Sequence, residues 1–492
     1  MRFPVGRGNA LVVAALMAAA PAQAANFKWG ETDVTFDTTV SAGVTVRVQD
    51  ADRDSVSLGN RNFDKSGDVV SGSVRATHDL DVRRGNSGFF ARATYLYDPV
   101  IWNKSEIPDG ARREGGRDFD MLDWFFYTRG KLAGVDTYGR VGSQVISWGE
   151  STFFSGGINT FNPVDVAKAR LPGAEVKEIL TPVPALLAGA SLTDSLSVEA
   201  FAQLQWKRME LDPVGTFFST TDLFGAGARE VLPPGIFKGS DNKASNTGAF
   251  GVQARYLAES LGHTNFGLYY LNYHSTVPFF NFRLGPGGTM DYFADYAENI
   301  RLVGASFNTN LGDWAIQGEY SYRDNLPIAA AQLAPGNPFE RHGYSQVQAT
   351  GTVVLHPGVI PTTDQAAFVI EGVYNRIHDY GDHLSATERA YAVRMMLRPE
   401  WNDAFSLPGI GVFNVVGTVD YGYGINGIGP SAGNAIVEGA HTLGVSLEAI
   451  HQNKLSFMVS YTGNYGDDDP NDQPFNPGHD RDFVQVSVKY SF

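Results

Sequence analysis

Apolar and polar residues alternate along the chain soon after an apolar N-terminal segment. From position 34 to position 48 every second residue is apolar or small, beginning with Val34, Phe36 and Thr38, while the residues between them are polar or small. Successive side chains of a strand point to opposite faces, so this segment predicts a strand with one apolar and one wet face. It exceeds the roughly 9–11 residues with which a tilted strand crosses a bilayer, and the roughly 5–6 residues of an average strand. The pattern therefore predicts a membrane-crossing strand.

The same alternation returns at the end of the chain and in several segments between. The final segment places on one face Val484, Val486, Val488, Tyr490 and Phe492. Segments 88–98, 313–323 and 454–465 alternate in the same way and carry tyrosine or tryptophan, which form the interfacial girdles of membrane barrels. Together the segments predict an all-β fold, a transmembrane antiparallel β-barrel of about eighteen strands, or roughly sixteen if two weak segments fail to form strands.

Short and long connections alternate between the predicted strands. Brief, turn-rich links lie near 84–86, 132–134, 193–194, 260–262, 310–312 and 452–453, and two longer ones span 356–364 and 399–410. Long links span 49–68, 99–120, 148–182, 208–247, 276–297 and 324–341. Outer-membrane barrels have short periplasmic turns and long external loops, and both of their ends lie on the periplasmic side. We therefore predict one barrel domain over residues 25–492.

The N terminus has the features of an export signal. Two arginines, Arg2 and Arg7, precede an apolar run at 10–20, and Ala22-Gln23-Ala24 follows as a small-x-small cleavage site. This order predicts a signal peptide over residues 1–24. The run is shorter than the roughly 20 residues that a transmembrane helix requires. We expect an exported protein of the outer membrane of a Gram-negative-type bacterium, in contact with outer-membrane lipid and lipopolysaccharide.

Composition narrows the range of partners. The chain has no cysteine and a formal net charge of −15, which argues against a nucleic-acid partner. Charged residues make up 18% of the chain, below the roughly 25% that is usual in soluble domains, and aromatic residues make up 12%. This balance is typical of a surface that faces lipid. A chain that ends on a strand with a terminal phenylalanine resembles outer-membrane barrels whose assembly machinery recognises that end, which makes Phe492 the expected contact.

The long link at 148–182 carries a helix-start pattern. Asn162 is placed as an N-cap, Pro163 as the first helical residue and Asp165 as an acid in the first turn, which predicts a short helix to Ala169 or Arg170. A second short helix is expected over 175–180. The link is the third external loop, which in porins commonly folds inward, so it is either a constriction or plug, or a structured loop on the rim. Its candidate constriction residues are Trp148, Glu150, Asn162, Pro163, Asp165 and Arg170.

A family resemblance covers this loop and the whole mature chain. The motif residues are Gly142-Ser143-Gln144-Val145-Ile146-Ser147-Trp148-Gly149-Glu150, then Asn162-Pro163-Val164-Asp165 and Leu171-Pro172-Gly173-Ala174-Glu175. They resemble the signature of an uncharacterised outer-membrane family, domain of unknown function 1302. The resemblance implies transport of hydrophobic or lipid-like compounds, and a periplasmic or inner-membrane transport partner. It supplies no catalytic or binding residues.

If the apolar faces meet lipid, the opposite faces line the lumen, where ionisable groups are tolerated. The candidate lumen residues are Arg92, Arg129, Arg140, Glu199, Arg255, Glu319, Arg323, Glu371 and Arg394. These residues either form a basic track that guides an anionic solute or pair with one another and brace the wall.

The predicted function is passive movement of a solute across the outer membrane, with a hydrophobic or lipid-like solute favoured by the family resemblance. A diffusion porin for small polar or anionic solutes is the alternative that the polar lumen supports. A lipid hydrolase is less favoured, because the histidines are scattered along the chain. We therefore expect no enzyme, and neither a cofactor nor a metal site, since no paired histidine spacing indicates zinc.

Overall fold

A computed structural model describes residues 25–52, 57–228, 230–231, 235–284, 288, 290–334, 336–430, 436–469 and 474–492. The predicted signal peptide lies outside the described residues. Among the helices in these ranges, none is long and apolar enough to cross a membrane. The described structure consists mainly of antiparallel strands.

Thirteen of the strands lie between residues 25 and 273. Their bounds are β1 Ala25–Trp29, β2 Thr32–Arg47, β3 Val69–Ser71, β4 Val74–Arg84, β5 Ser87–Tyr97, β6 Arg117–Leu132, β7 Val135–Gln144, β8 Val183–Ser191, β9 Leu196–Gln203, β10 Glu230–Val231, β11 Ile236–Lys238, β12 Phe250–Ala258 and β13 Thr264–Tyr273. The helices are α1 Leu58–Asn62, α2 Pro99–Trp102, α3 Asp109–Gly116, α4 Val166–Ala169 and α5 Val176–Ile179, with a 3₁₀ turn at Glu259–Leu261.

The second half contains the remaining strands. Their bounds are β14 Phe279–Leu284, β15 Met290–Asp295, β16 Ile300–Leu311, β17 Trp314–Ala334, β18 Asn337–Leu355, β19 Gln365–Ile377, β20 Arg389–Leu407, β21 Gly411–Asn426, β22 His441–His451, β23 Leu455–Tyr465 and β24 Phe483–Ser491.

The large sheet closes on itself as a barrel. β24 pairs antiparallel with β2, and the seam ends where the Phe492 amide donates to the Thr38 carbonyl at 2.8 Å. β3 and β4 both pair with β2 and form two parts of one crossing, interrupted at positions 72–73. Counting them as one, and leaving aside β1, which pairs only with the start of β2, gives eighteen crossings. The predicted eighteen-stranded antiparallel barrel is confirmed.

Burial follows the predicted alternation. Apolar side chains such as Leu268, Val303 and Val486 face outward and are more than half exposed. Polar side chains such as Gln348 and Thr350 face inward and are buried. The apolar outer surface suits lipid, and the closed ladder of the large sheet satisfies the backbone groups of its strands.

Four predicted connections differ from the structure. β17 and β18 continue as a hairpin through the expected loop 324–341, where register shifts after Arg323 and Ala329 break the two-residue period. β20 continues to Leu407, through the expected turn 399–410, because a register shift between Trp401 and Phe405 interrupts the alternation there. The long links 208–247 and 276–297 contain a small sheet of β10, β11, β15 and β14. A period-2 search misses strands that contain bulges or are very short.

Candidate solute path through the barrel

The segment between β7 and β8, residues 145–182, is here called the lumen loop because it crosses the inside of the barrel. Its first part contacts inward-facing side chains of β17, β18 and β19, and its helical part contacts those of β4 and β24. Eighteen strands enclose a space wide enough for such a segment. The contacts on these separated walls fix the loop at both ends of its crossing.

Two buried carboxylates hold the first part of the lumen loop. Glu319 accepts hydrogen bonds from the backbone amides of Glu150 at 2.6 Å and Ile158 at 2.8 Å. Glu371, which is 0% exposed, accepts from three successive amides, residues 152, 153 and 154, at 2.8, 2.9 and 3.1 Å. Hydrogen bonds to an ionised acceptor are stronger than neutral ones. The two carboxylates therefore act as anchors for loop backbone.

Arg323 anchors the same part of the loop from the donor side. It is 1% exposed, and its Nη2 donates to the carbonyls of Gly156 and Gly157, each at 2.7 Å. Its Nε donates to the Tyr273 hydroxyl at 2.7 Å. A Cβ at Gly157 would collide with the Glu319 carboxylate, so the close approach of loop to wall requires glycine there.

The helical part of the loop begins later than the sequence indicates. Asn162 is not the N-cap: its Oδ1 accepts from the Ile146 amide at 2.7 Å and its Nδ2 donates to the Thr181 carbonyl at 2.9 Å, so it joins the two ends of the loop. Pro163 accepts from the Thr181 amide at 2.8 Å and is not the first helical residue. Asp165 caps α4 instead, accepting from the Lys168 amide at 2.9 Å. Asn162 therefore connects distant parts of the loop, and the capping role falls to Asp165.

The helices rest on the wall formed by β4 and β24. Glu178 pairs with Arg75 at 3.1 Å and accepts from the Thr77 hydroxyl at 2.5 Å. Glu175 pairs with Lys489 at 3.0 Å. Arg170 reaches the next external loop, where it pairs with Asp212 at 3.3 Å.

Trp148 and Glu150 lie against β9 and β12. The buried indole of Trp148 donates to Glu199 Oε1 at 2.5 Å, and Glu150 pairs with Arg255 at 2.5 Å. Trp148 also packs against Phe201, with ring centroids 4.9 Å apart. These contacts join the start of the loop to a third stretch of wall.

The other predicted lumen residues occupy different settings. Arg92 lies between Asp79 and Asp123, at 2.7 and 3.1 Å. Arg129 is exposed near the end of β6 that leads into the short turn at positions 133–134. Arg140 stacks over the Phe125 ring at 5.6 Å, and Arg394 pairs with Asp420 at 2.8 Å. The predicted set is therefore not one continuous basic track: most of its members are paired wall or anchor residues.

Part of the inner wall consists of small hydroxyl side chains. Thr418, Ser446 and Ser460 align in register across β21, β22 and β23, and all three are partly exposed. Their chain neighbours Val445 and Val459 face outward and are 41% and 46% exposed. We call the inner surface of β20–β23 the open wall. Sequence reasoning passed over these hydroxyls because it selected ionisable residues, although the same alternation places them inside.

A cavity of about 170 Å³ lies where the lumen loop meets its neighbouring external loops. It is lined by apolar side chains such as Ile101 and Phe217 and by several carboxylates. Burial, and then the neighbouring Glu210, raise the pKa of Glu114 to about 7. Burial also raises the pKa of Asp165 to about 7, against the lowering effect of its hydrogen bond from the Lys168 amide. We therefore expect this junction between loops to respond to pH near neutrality.

In the described ranges, no three or more His, Cys, Asp or Glu residues are arranged to hold a metal ion. The profile of a family described as "Protein of unknown function (DUF1302)" matches residues 5–492. A search among curated proteins finds no match.

Solved structures with a similar architecture include channels and outer-membrane proteins. Acinetobacter baumannii OccAB3 is 9% identical, with a TM-score of 0.48, covering 93% of this chain and 99% of that one. Acinetobacter baumannii OccAB4 is 12% identical, with a TM-score of 0.47 and coverages of 94% and 99%. The outer membrane protein opdK of Pseudomonas aeruginosa is 11% identical, with a TM-score of 0.47 and coverages of 94% and 98%. Similarities this low carry no argument about function.

Proposed function

Because this chain belongs to the protein family of unknown function DUF1302, whose description assigns no activity, we propose a function from the barrel itself. The protein is an outer-membrane channel through which small water-soluble solutes diffuse, without energy coupling of its own. The solutes pass between the lumen loop and the open wall.

The observation that carries this proposal is that the lumen loop covers one part of the inner wall and leaves another part uncovered. The inner side chains of β17–β19 are buried against the lumen loop, with Gln346, Gln348 and Glu371 each at most 2% exposed. Those of β21–β23, including Thr418, Ser446 and Ser460, remain partly exposed. A barrel of this size has room for an aqueous channel, and small hydroxyls provide a wet surface without filling it.

The open wall carries an ion pair whose arginine is exposed. Arg394 and Asp420 face each other at 2.8 Å, and the Arg394 side chain is 41% exposed. The guanidinium also lies over the Phe153 ring of the lumen loop at 5.2 Å. The pair therefore lies where loop and open wall approach each other, and it is placed to contact a passing solute.

The test is single-channel conductance of the refolded protein in planar bilayers, compared with a variant lacking residues 151–180. We expect a steady open current in the wild type and a several-fold larger one in the deletion, because the loop removes cross-section from the lumen. Heat-modifiable gel migration checks that both proteins form barrels. A silent wild type with a conducting deletion would make the loop a plug, and silence in both would contradict a channel.

A second candidate function is passage of a hydrophobic or lipid-like solute, and the apolar cavity between the external loops favours it. Ile101, Leu96 and Phe218 line that cavity together with carboxylates, which suits an amphipathic molecule. Ile101→Trp would fill the space. If this candidate is correct, the variant loses transfer of a fluorescent fatty amine into vesicles while its ion conductance is retained. Unchanged transfer would exclude the cavity as an entry site.

A further inference from the structure

Beneath the lumen loop, on the side of the short turns, lies a polar pocket of about 340 Å³. Its lining includes Tyr138, Arg140, Trp148, Glu199, Gln253 and Arg255. The volume lies within the roughly 300–1,000 Å³ of small-molecule sites. We call it the subloop pocket.

The subloop pocket contains an arginine that, among the described residues, no carboxylate contacts directly, although Asp123 lies near enough to act on it electrostatically. Within the described residues Arg140 forms no ion pair, and its guanidinium stacks over the Phe125 ring at 5.6 Å. Stacking holds the planar group in place and leaves its N–H donors free at the edges. An anion that binds a partly enclosed guanidinium without an acceptor forms strong, charge-assisted hydrogen bonds there.

The carboxylate that lines the same pocket is already satisfied. Glu199 Oε1 accepts from Trp148 Nε1 at 2.5 Å and from Gln253 Nε2 at 2.9 Å, and Glu199 Oε2 accepts from the Tyr138 hydroxyl. Three neutral donors therefore occupy its lone pairs, and none of them is a guanidinium. The carboxylate is held as part of the wall and does not pair with Arg140.

The second arginine of the pocket is incompletely satisfied. Arg255 Nη2 pairs with Glu150 at 2.5 Å, but Arg255 Nε is buried and has no hydrogen-bond partner. A guanidinium can bind two oxygens of one oxyanion through adjacent N–H groups. The guanidinium of Arg255 therefore adds a second positive charge to the lining of the pocket.

The pocket also has an entrance. Ser197 and Arg255 line both the subloop pocket and a larger space of about 770 Å³ that extends to the short turns around Gly134 and Asp194. Those turns are short, and short turns lie on the periplasmic side in barrels of this kind. A solute can thus reach the arginines from that side.

We propose that the subloop pocket binds a small solute through its carboxylate or phosphate group, with Arg140 as the principal contact and Arg255 as the second. The inference deepens the proposed function by naming the solute class, and it rests on that function only for the solute's onward passage. Binding itself needs no current.

The test is calorimetric titration of detergent-solubilised full-length protein at low ionic strength with succinate, inorganic phosphate and, as a cation, choline. We expect one site for succinate or phosphate and none for choline. Arg140→Gln should weaken binding about tenfold or more, because it removes a charge-assisted contact. Arg398→Gln is the control, since Arg398 lies on another wall in β20, is more exposed than Arg140 and pairs with Glu400.

Arg140→Lys keeps the charge without the planar fork, so it should restore only part of the affinity. Arg255→Gln provides a second variant in case Arg140→Gln does not refold. Equal anion binding by wild type and Arg140→Gln, equal loss in Arg398→Gln, or no heat with either anion would overturn the inference. Because these readouts are independent of current, a silent but anion-binding protein would contradict the channel and leave the pocket assignment intact.

Discussion

The wall of β17–β19 and the open wall of β20–β23 have the same strand pattern but different surroundings. On the first, Glu319, Arg323 and Glu371 are buried and bonded to backbone groups of the lumen loop. On the second, Arg394 keeps 41% of its side-chain surface exposed and pairs with a neighbouring strand. Inward polar residues thus serve either to hold a loop or to line a path.

What separates the two walls is the position of the loop. A charge buried against backbone donors or acceptors is expensive to remove, because its partners are left unsatisfied. A charge that faces water has solvent as a substitute partner, so its loss costs little stability. We therefore expect substitutions on the covered wall to change stability and loop position, and those on the open wall to change conductance or selectivity.

The largest effect is expected from Glu319→Ala combined with Glu371→Ala. The pair would leave five loop amides without their acceptors, those of residues 150, 152, 153, 154 and 158. We expect the loop to detach, conductance to rise several-fold and hydrogen exchange at 150–158 to accelerate. Asp420→Ala on the open wall is the control and should leave exchange in the loop unchanged. Protection retained in the double variant would contradict the anchoring role.

A smaller effect is expected from replacing one arginine on each wall. Arg323→Met should lower the free energy of unfolding by roughly 3–5 kcal/mol, because two loop carbonyls and a tyrosine hydroxyl lose their donor. Arg394→Met should cost less, about 1 kcal/mol, because the Arg394 side chain is 41% exposed, although its partner Asp420 is only 15% exposed. Urea titration in lipid vesicles, followed by tryptophan fluorescence, measures both. Equal losses of unfolding free energy in the two variants would contradict the distinction between the walls.

The smallest effect concerns pH at the junction of the loops. Burial raises the pKa of Glu114 and Asp165 to about 7, above the roughly 4 of an unfolded chain, so the folded junction binds more protons. The stabilisation that these two carboxyl groups contribute is fully present below about pH 4 and is lost as pH rises through about 7. Hydrogen exchange at 163–170 should therefore be faster at pH 8 than at pH 5.5, after correction for the intrinsic rate.

Asp165→Asn tests the origin of this pH dependence. Asparagine keeps the N-cap of α4 but cannot ionise, so the difference between the two pH values should shrink. Lys168 forms ion pairs with Asp118 and Asp165, at 3.5 and 3.2 Å, which favour the ionised carboxylates. These ion pairs therefore reduce the expected difference between the two pH values. An undiminished pH difference in the variant would assign the titration to other groups.

The barrel could be predicted from the sequence because a membrane imposes one period on every crossing. The alternation at 34–48 and 454–465 lies within or close to the observed strands β2 and β23. The role of each inward residue could not be predicted. The period places both Glu371 and Arg394 inside the barrel, but it does not show which of them a distant loop buries. Asn162 shows the same limit: its helix-start pattern is local, while its observed partners, Ile146 and Thr181, lie sixteen and nineteen residues away.

The most direct test of the open wall as the solute path is conductance of Ser446→Trp beside Val445→Trp. The two positions are adjacent on β22, but Ser446 faces the lumen and Val445 faces lipid, where it is 41% exposed. We expect Ser446→Trp to reduce single-channel conductance by half or more, and Val445→Trp to match the wild type. Equal conductance in both variants would contradict passage along this wall.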